Sequence, residues 1–422
     1  MARGALLPAS LLFCAAAAAA APWTRLPPLD GNLSGDLSLF GPENGVVVHW
    51  TVSTATRPTG ARSLEVAAEA PGLAVKGRVD LGVGGATGEW RLEPSTLDLD
   101  AWATLLFRRY APELETIAAR GTVRLAGEGR LQSDAAMPEG EVRITMSDAS
   151  LEDPVDGWSV RGLSGQLVLP RLPIVASDAG QRLTFREAAL GTDLVLRNGI
   201  TEVELVSSTQ VKVQSLRVEA FGGWIRSEPF AYDFTEQSLR AVVHVEDIQI
   251  EALKAYFPEN VLEARGRLRG ELEVRWDKTT GLSFGRGNLV LEKDQPAMLR
   301  LASTPGFLSS KVPTEYDLVP WMPRWLTRWL LRMDTRTRDS LVRIEEGREH
   351  LVVESLQAEL NPPGEEGLST AKVRIVARPS TTAGAAAVKR LQLTVTVSGP
   401  LADVLRFGMD GRVSMTGAGA PE

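Results

Sequence analysis

Apolar and polar residues alternate with a period of two along most of this chain, and nowhere more strictly than from Ala264 to Trp276. The even positions Ala264, Gly266, Leu268, Gly270, Leu272, Val274 and Trp276 are apolar or glycine. The odd positions Arg265, Arg267, Arg269, Glu271, Glu273 and Arg275 are all charged. A period of two puts successive side chains on opposite faces of a strand. A helix of 3.6 residues per turn would smear both classes around its circumference. The stretch therefore predicts a strand with a charged, wet face and a lightly built apolar face.

The same alternation, closed by Gly, Pro or Pro-Thr-Gly turns, predicts strands over 31–39, 46–52, 64–69, 73–81 and 89–92. It resumes over 121–131, 141–151, 159–169, 183–197, 203–218, 241–250 and 282–291. It ends over 351–360, 372–378 and 389–397, with a last edge strand near 411–415 at the start of a tail, 412–422, expected to be flexible. Helical spacing of Trp102, Leu105, Leu106, Tyr110, Leu114 and Ile117 predicts a helix over 97–119, split by Pro112. A short helix over 250–257, a longer helical region over 297–345 and a helical turn over 401–407 complete the set. One internal echo stands out. Residues 97–131 and 248–276 both run from a strand end through a helix to an Ala-Arg-Gly triplet, at Ala119 and Ala264, and on into a glycine-punctuated strand.

So many strands with so few helices predict a mostly β chain. Its apolar face is buried either between two packed sheets or inside one elongated, strongly curved antiparallel sheet, a trough. Glycines on or beside that face (Gly127, Gly129, Gly266, Gly270) read either as ordinary bulges or as room for a guest. In a trough the lining is Val123, Leu125, Leu131, Ala264, Gly266, Leu268, Gly270, Leu272, Val274 and Trp276. Such a lining has an evident use. Each exposed CH₂ is worth ~0.8 kcal/mol, so a ~14-carbon acyl tail in water costs on the order of 11 kcal/mol. A continuous apolar surface removes most of that barrier without catalytic groups.

A second pattern lies in 319–344. Trp321, Trp325 and Trp329 recur every four residues, and Arg324, Arg328 and Arg332 form a parallel stripe. Each series lies along one face of a helix. Trp and Arg together suit a membrane interface, and equally a helix that caps one end of the sheet.

Composition narrows the function. The 422 residues carry a net charge of -7, with arginines scattered among acids. That pattern lacks the concentrated basic patch of a nucleic-acid binder. The first 21 residues (one arginine, an apolar run, then alanines before Pro22) read as an export signal or a retained inner-membrane anchor. Cys14 is the single cysteine and lies in that segment. The three histidines, His49, His244 and His350, have no carboxylate or cysteine at ligand spacing along the chain, so no metal is expected. No nucleophile elbow, zincin or phosphate-loop motif occurs, and neither a cofactor nor an enzyme activity is expected. The organisation expected is 1–21 as signal or anchor, 22–200 as the first part of the sheet, 201–411 as the second, then the tail.

Several stretches resemble a known family. They are Val218 to Asp233, with Gly222, Gly223, Pro229, Phe230 and Asp233; then Val245 to Leu253; Glu263 to Arg275; and Gly281 to Leu291, which matches a G-x-x-I-x-x-G-x-L step. Arg338 to Asn361 and Leu401 to Arg406 resemble its closing segments. The family is the YdbH-like proteins of the AsmA-like group, relatives of TamB, and the resemblance runs from about 215 to 407. It implies an elongated β-trough in the periplasm of a diderm envelope that carries phospholipids between inner and outer membranes, with other envelope proteins as further partners. Two rival readings accompany it. One is an assembly factor that engages outer-membrane proteins through sheet edges. The other is an accessory to dicarboxylate transport, after an older label of the family's C-terminal region.

Overall fold

The computed structural model describes the chain from Asp30 to Gly417, apart from 40–44, 111–114, 133–138, 191–193, 257–260, 278–280, 302–305, 310–337, 363–369, 381–387, 399–412 and some single positions. The chain is mostly β, and its strands pair antiparallel. It divides into two compact units. Unit 1 is 1–218 with 229–238, and unit 2 is 219–228 with 239–422.

Unit 1 begins with β1 (Gly31–Leu39), β2 (Val46–Thr56), β3 (Arg62–Ala70), β4 (Leu73–Leu81) and β5 (Thr87–Asp98). The helix α1 (Leu99–Tyr110) follows, then β6 (Ala118–Gln132), β7 (Glu139–Asp153), β8 (Trp158–Leu172), β9 (Gln181–Leu190) and β10 (Leu194–Leu205). β11 (Gln210–Ala220) runs to the boundary. From β1 to β10 each strand pairs with the next, as alternating segments with short turns should. The outcome is a set of in-register apolar rows. One runs Val52, Val66, Gly77, Leu92, Gly127, Val142, Leu169 across seven strands. Another runs Leu73, Leu97, Val123, Met146, Gly165, Leu183.

The helix expected over 97–119 is shorter than its pattern. α1 occupies Leu99–Tyr110, and Ala118 and Ala119 already pair with Glu152 and Leu151 of β7. Alanine's helix preference is a few tenths of a kcal/mol per residue, about one part in three of a net hydrogen bond. The ladder wins.

In chain order the remaining strands begin with β12 (Gly223–Ser227), then β13 (Phe230–Asp233), which belongs to unit 1, and β14 (Ser238–Gln249). After a tight helical turn (Ile250–Tyr256) come β15 (Val261–Arg265), β16 (Arg267–Asp277), β17 (Gly281–Leu291), β18 (Ala297–Leu301), β19 (Leu351–Leu360), β20 (Thr370–Pro379), β21 (Leu391–Ser398) and β22 (Val413–Gly417). One expectation fails here. Residues 297–301, expected to begin a helical region, form β18, because pairing with both β15 and β19 buries Ala297, Leu299 and Leu301. An α-helix is described in this region over 338–345. Residues 413–417 form the last strand, expected near 411–415, and pair with Leu393–Val397. The turn expected at 401–407 lies outside the described residues.

The strand expected from Ala264 to Trp276 is two strands that exchange partners at Gly266. β15 pairs with β18, and β16 pairs with β17. β19 makes the reciprocal exchange, its first residues on β18 and its last on β17, with a bulge at Glu354. Gly266 takes φ 144°, a region that L side chains rarely adopt.

Candidate functional site

The residues expected to line a groove fall into two environments. Val123 and Leu125 lie deep in a core of unit 1 that includes Trp90, Leu97, Trp102 and Leu106, while Leu131 packs at its margin. Two tryptophans close that core. Trp102 of α1 donates its indole N–H to the carbonyl of Pro71 at 2.9 Å. Trp90 is 1% exposed and donates to the carbonyl of Glu139 at 3.0 Å. Its ring lies over Gly127, Gly129 and Gly140, where any Cβ would strike the ring or the adjoining backbone. The room expected at Gly127 and Gly129 is therefore occupied by the chain's own indole.

In unit 2 the division falls within single strands. Ala264, Gly266 and Leu268 face a core of Val245, Ile248, Ile250, Leu291, Leu299, Leu351 and their neighbours. A Cβ at Gly266 would sit 3.0 Å from Ala297, 3.1 Å from Ile250 and 3.2 Å from Leu291. That position holds no space for a guest either. At Gly270 a Cβ would meet the backbone of Asn288 and Leu289 on the next strand. Beyond it the face changes character. Leu272, Val274 and Trp276 are half-buried, as are Leu289, Leu356, Ala358, Leu360, Val373 and Ile375. These positions are in register as the rows Gly270–Leu289–Ala358–Val373 and Leu272–Gly287–Leu360–Ala371. Both rows are free of charge.

The opposite face carries the expected charges, mostly as exposed cross-strand pairs such as Arg267 with Asp247 and Arg226 with Glu246. Such pairs contribute ~0–1 kcal/mol each. Glu273 is the exception. Expected on the wet face, it is 9% exposed, held by Arg240, by Arg275 at 2.8 Å and by the backbone N–H of Arg286 at 3.3 Å. The hydrogen bond from Arg275 leads in holding its carboxyl below the usual range, against the pull of burial. Each histidine also has a cross-strand carboxylate that linear spacing does not reveal. His49 pairs with Asp36, His244 with Glu228 at 3.1 Å, and His350 approaches Glu263 at 3.8 Å. Among the described residues no cluster of three or more His, Cys, Asp or Glu is placed to hold a metal, and no helix is long and apolar enough to cross a membrane. The helical series Trp321, Arg324, Trp325, Arg328, Trp329 and Arg332 lies outside the described residues, as do residues 1–21.

One site residue escaped the sequence reading. Glu345, at the end of helix 338–345, is 2% exposed and accepts four hydrogen bonds. Gly306 N–H (3.0 Å) and Ser309 Oγ–H (2.7 Å) reach one oxygen, Leu308 N–H (2.9 Å) and Ser309 N–H (3.0 Å) the other. Burial presses its carboxyl upward, and these bonds together hold it below the ordinary range. A signal existed in the pattern: Glu345 stands four residues after Leu341 and so falls on the apolar stripe of that helix.

The arrangement defines a class of protein, an antiparallel β chain with in-register uncharged rows on one face and paired charges on the other. The chain belongs to the YdbH-like family, whose model, described as intermembrane phospholipid transport protein YdbH, matches residues 20–311. The match takes in nearly all of unit 1, most of which precedes the stretches that resemble the family, and stops short of the closing segments at 338–361 and 401–406. No curated protein matches the chain. Family membership implies intermembrane phospholipid transport and an envelope setting.

Proposed function

We propose that the half-exposed part of the sheet face in unit 2 carries phospholipid acyl chains between the inner and outer membranes, in the periplasm, with headgroups left in solvent. The observation that supports this reading is the pair of in-register uncharged rows, whose members Leu272, Leu289, Ala358, Leu360 and Val373 are half-buried. A tail of ~14 carbons laid along them would recover on the order of 11 kcal/mol of hydration penalty. The neighbouring packed positions, Ala264, Gly266 and Leu268, hold the sheet rather than the lipid. The test is a phospholipid with a diazirine in its acyl chain, presented in vesicles to the full chain, with labelled peptides mapped by mass spectrometry. Label over 356–360 and 371–375 is expected; label confined to the charged face, or none, overturns the reading.

A second reading rests on β1. It pairs with β2, and Leu33 and Leu37 on its apolar side are half exposed, so this edge is suited to receive another extended strand. Leu272→Glu separates the two: it blocks lipid passage and leaves an edge contact intact.

A further inference from the structure

Glu345 is a buried carboxylate in the last turn of a helix, where the helix dipole disfavours negative charge. A buried charge persists only when its hydrogen bonds are satisfied, and here all four donors come from Gly306, Leu308 and Ser309. The same short strap puts Leu308 into the core beside Leu299, Leu301, Leu341, Ile344 and Leu351. A second tie holds the helix end: Gly347, at φ 67°, lies against the carbonyl of Leu301, and Arg300 Nε–H donates to the carbonyl of Gly347 at 2.7 Å. The packed part of the face thus ends under a strap and a helix that one carboxylate joins.

We propose that Glu345 is the pin of a stop, a positioning residue that keeps acyl chains off the packed part of the face and so fixes the boundary of the lipid-carrying surface along the strands. This rests on the lipid-carrying reading given above. In the closed arrangement Leu351, Ala377 and Ile344 have no exposed surface, so an acyl chain on the Ala358 and Leu360 rows that strays along the strands toward Gly266 and Val353 meets filled space. Releasing the strap withdraws Leu308 and uncovers an apolar surface continuous with the open rows. The stop therefore sets how many rows of the face are open to acyl chains.

The experiment uses the full chain with vesicles of phosphatidylethanolamine and phosphatidylglycerol containing an acyl-diazirine phospholipid, read alongside amide hydrogen exchange. In the native protein, label falls on 356–360 and 371–375 and spares 297–301 and 351–353. In Glu345→Gln, exchange at Leu308 and Ser309 accelerates by about tenfold or more, because the amide cannot accept all four donors. Label then spreads to 297–301 and 351–353. Ser309→Ala, which removes one of the four bonds, shifts both readouts the same way by less. Faster exchange with an unchanged label map overturns the stop and leaves the lipid reading standing, as does label at 351–353 in the native protein. Absence of label throughout overturns the lipid reading and the stop with it.

Discussion

The two ends of β19 and β20 are built from similar residues and do opposite things. At one end Leu351, Val353 and Ala377 are buried beneath helix 338–345, and at the other Leu356, Ala358, Val373 and Ile375 are half-exposed. Hydrophobicity does not separate them. What differs is the covering: Leu341 and Ile344 of the helix and Leu308 of the strap join the core at the closed end, and Ala358, Leu360 and Val373 at the open end stand outside it. The same apolar row is core where something covers it and surface where nothing does. Alternation in a sequence specifies a face, and the covering elements, which are non-local, specify its use.

That contrast can be broken at several points. The largest effect belongs to Ile344→Ala, which removes a fully buried side chain from the closed end and is expected to destabilise unit 2 by about 2–5 kcal/mol, whereas Leu360→Ala at the open end costs about 1 kcal/mol or less. Urea denaturation of the two variants gives the comparison directly, and equal losses would erase it. Gly266→Val comes next, at about 1–3 kcal/mol, from backbone strain at a positive φ together with the close approach of Ile250, Leu291 and Ala297.

The third test is pH. The folded protein holds the Glu345 carboxyl below its unfolded value of about 4.3, so its contribution is fully present above that pH and is lost as pH falls through the folded value. Native stability should therefore fall more steeply below about pH 4.3 than that of Glu345→Gln, measured by thermal melts at stepped pH. Matching slopes would remove the pin from the energetics of the closed end. The smallest effect on stability, within about 1 kcal/mol, belongs to Val373→Glu at the open end. Its lipid labelling should nevertheless disappear, since a charge then sits in an uncharged row.

Much of this was legible in the chain. Alternation located most of the strands because a half-buried strand must alternate, but it ran single strands over 183–197 and 203–218, where the chain turns between β9 and β10 and between β10 and β11, and it missed β12, β13 and β18. The absence of motifs pointed to a surface instead of a catalytic centre. The failures share a cause. Ala118–Ala119 and Ala297–Leu301 are short segments whose residues tolerate helix or strand, and distant partners decided between them. Glycines at 127, 129 and 266 suggested vacancy because a sequence does not show which side chain from another strand fills the gap: Trp90 in one case, Ile250 and Leu291 in the other. Glu345 was hidden in plain periodicity, since an acid near the end of an amphipathic helix reads first as solvated.

The partner exchange at Gly266 also bears on how the chain folds. β16 and β17 are neighbours in sequence, joined by a short connection, so their hairpin closes a small loop. β15 must wait for β18, and β18 for β19 some fifty residues further on, so the closed end depends on a much larger loop closure. The glycine is then the joint between an early hairpin and a late zipper. Pulsed hydrogen exchange during refolding should protect Leu268–Val274 before Ala264 and Leu299, so that the open half of the face exists first and the stop is added to it.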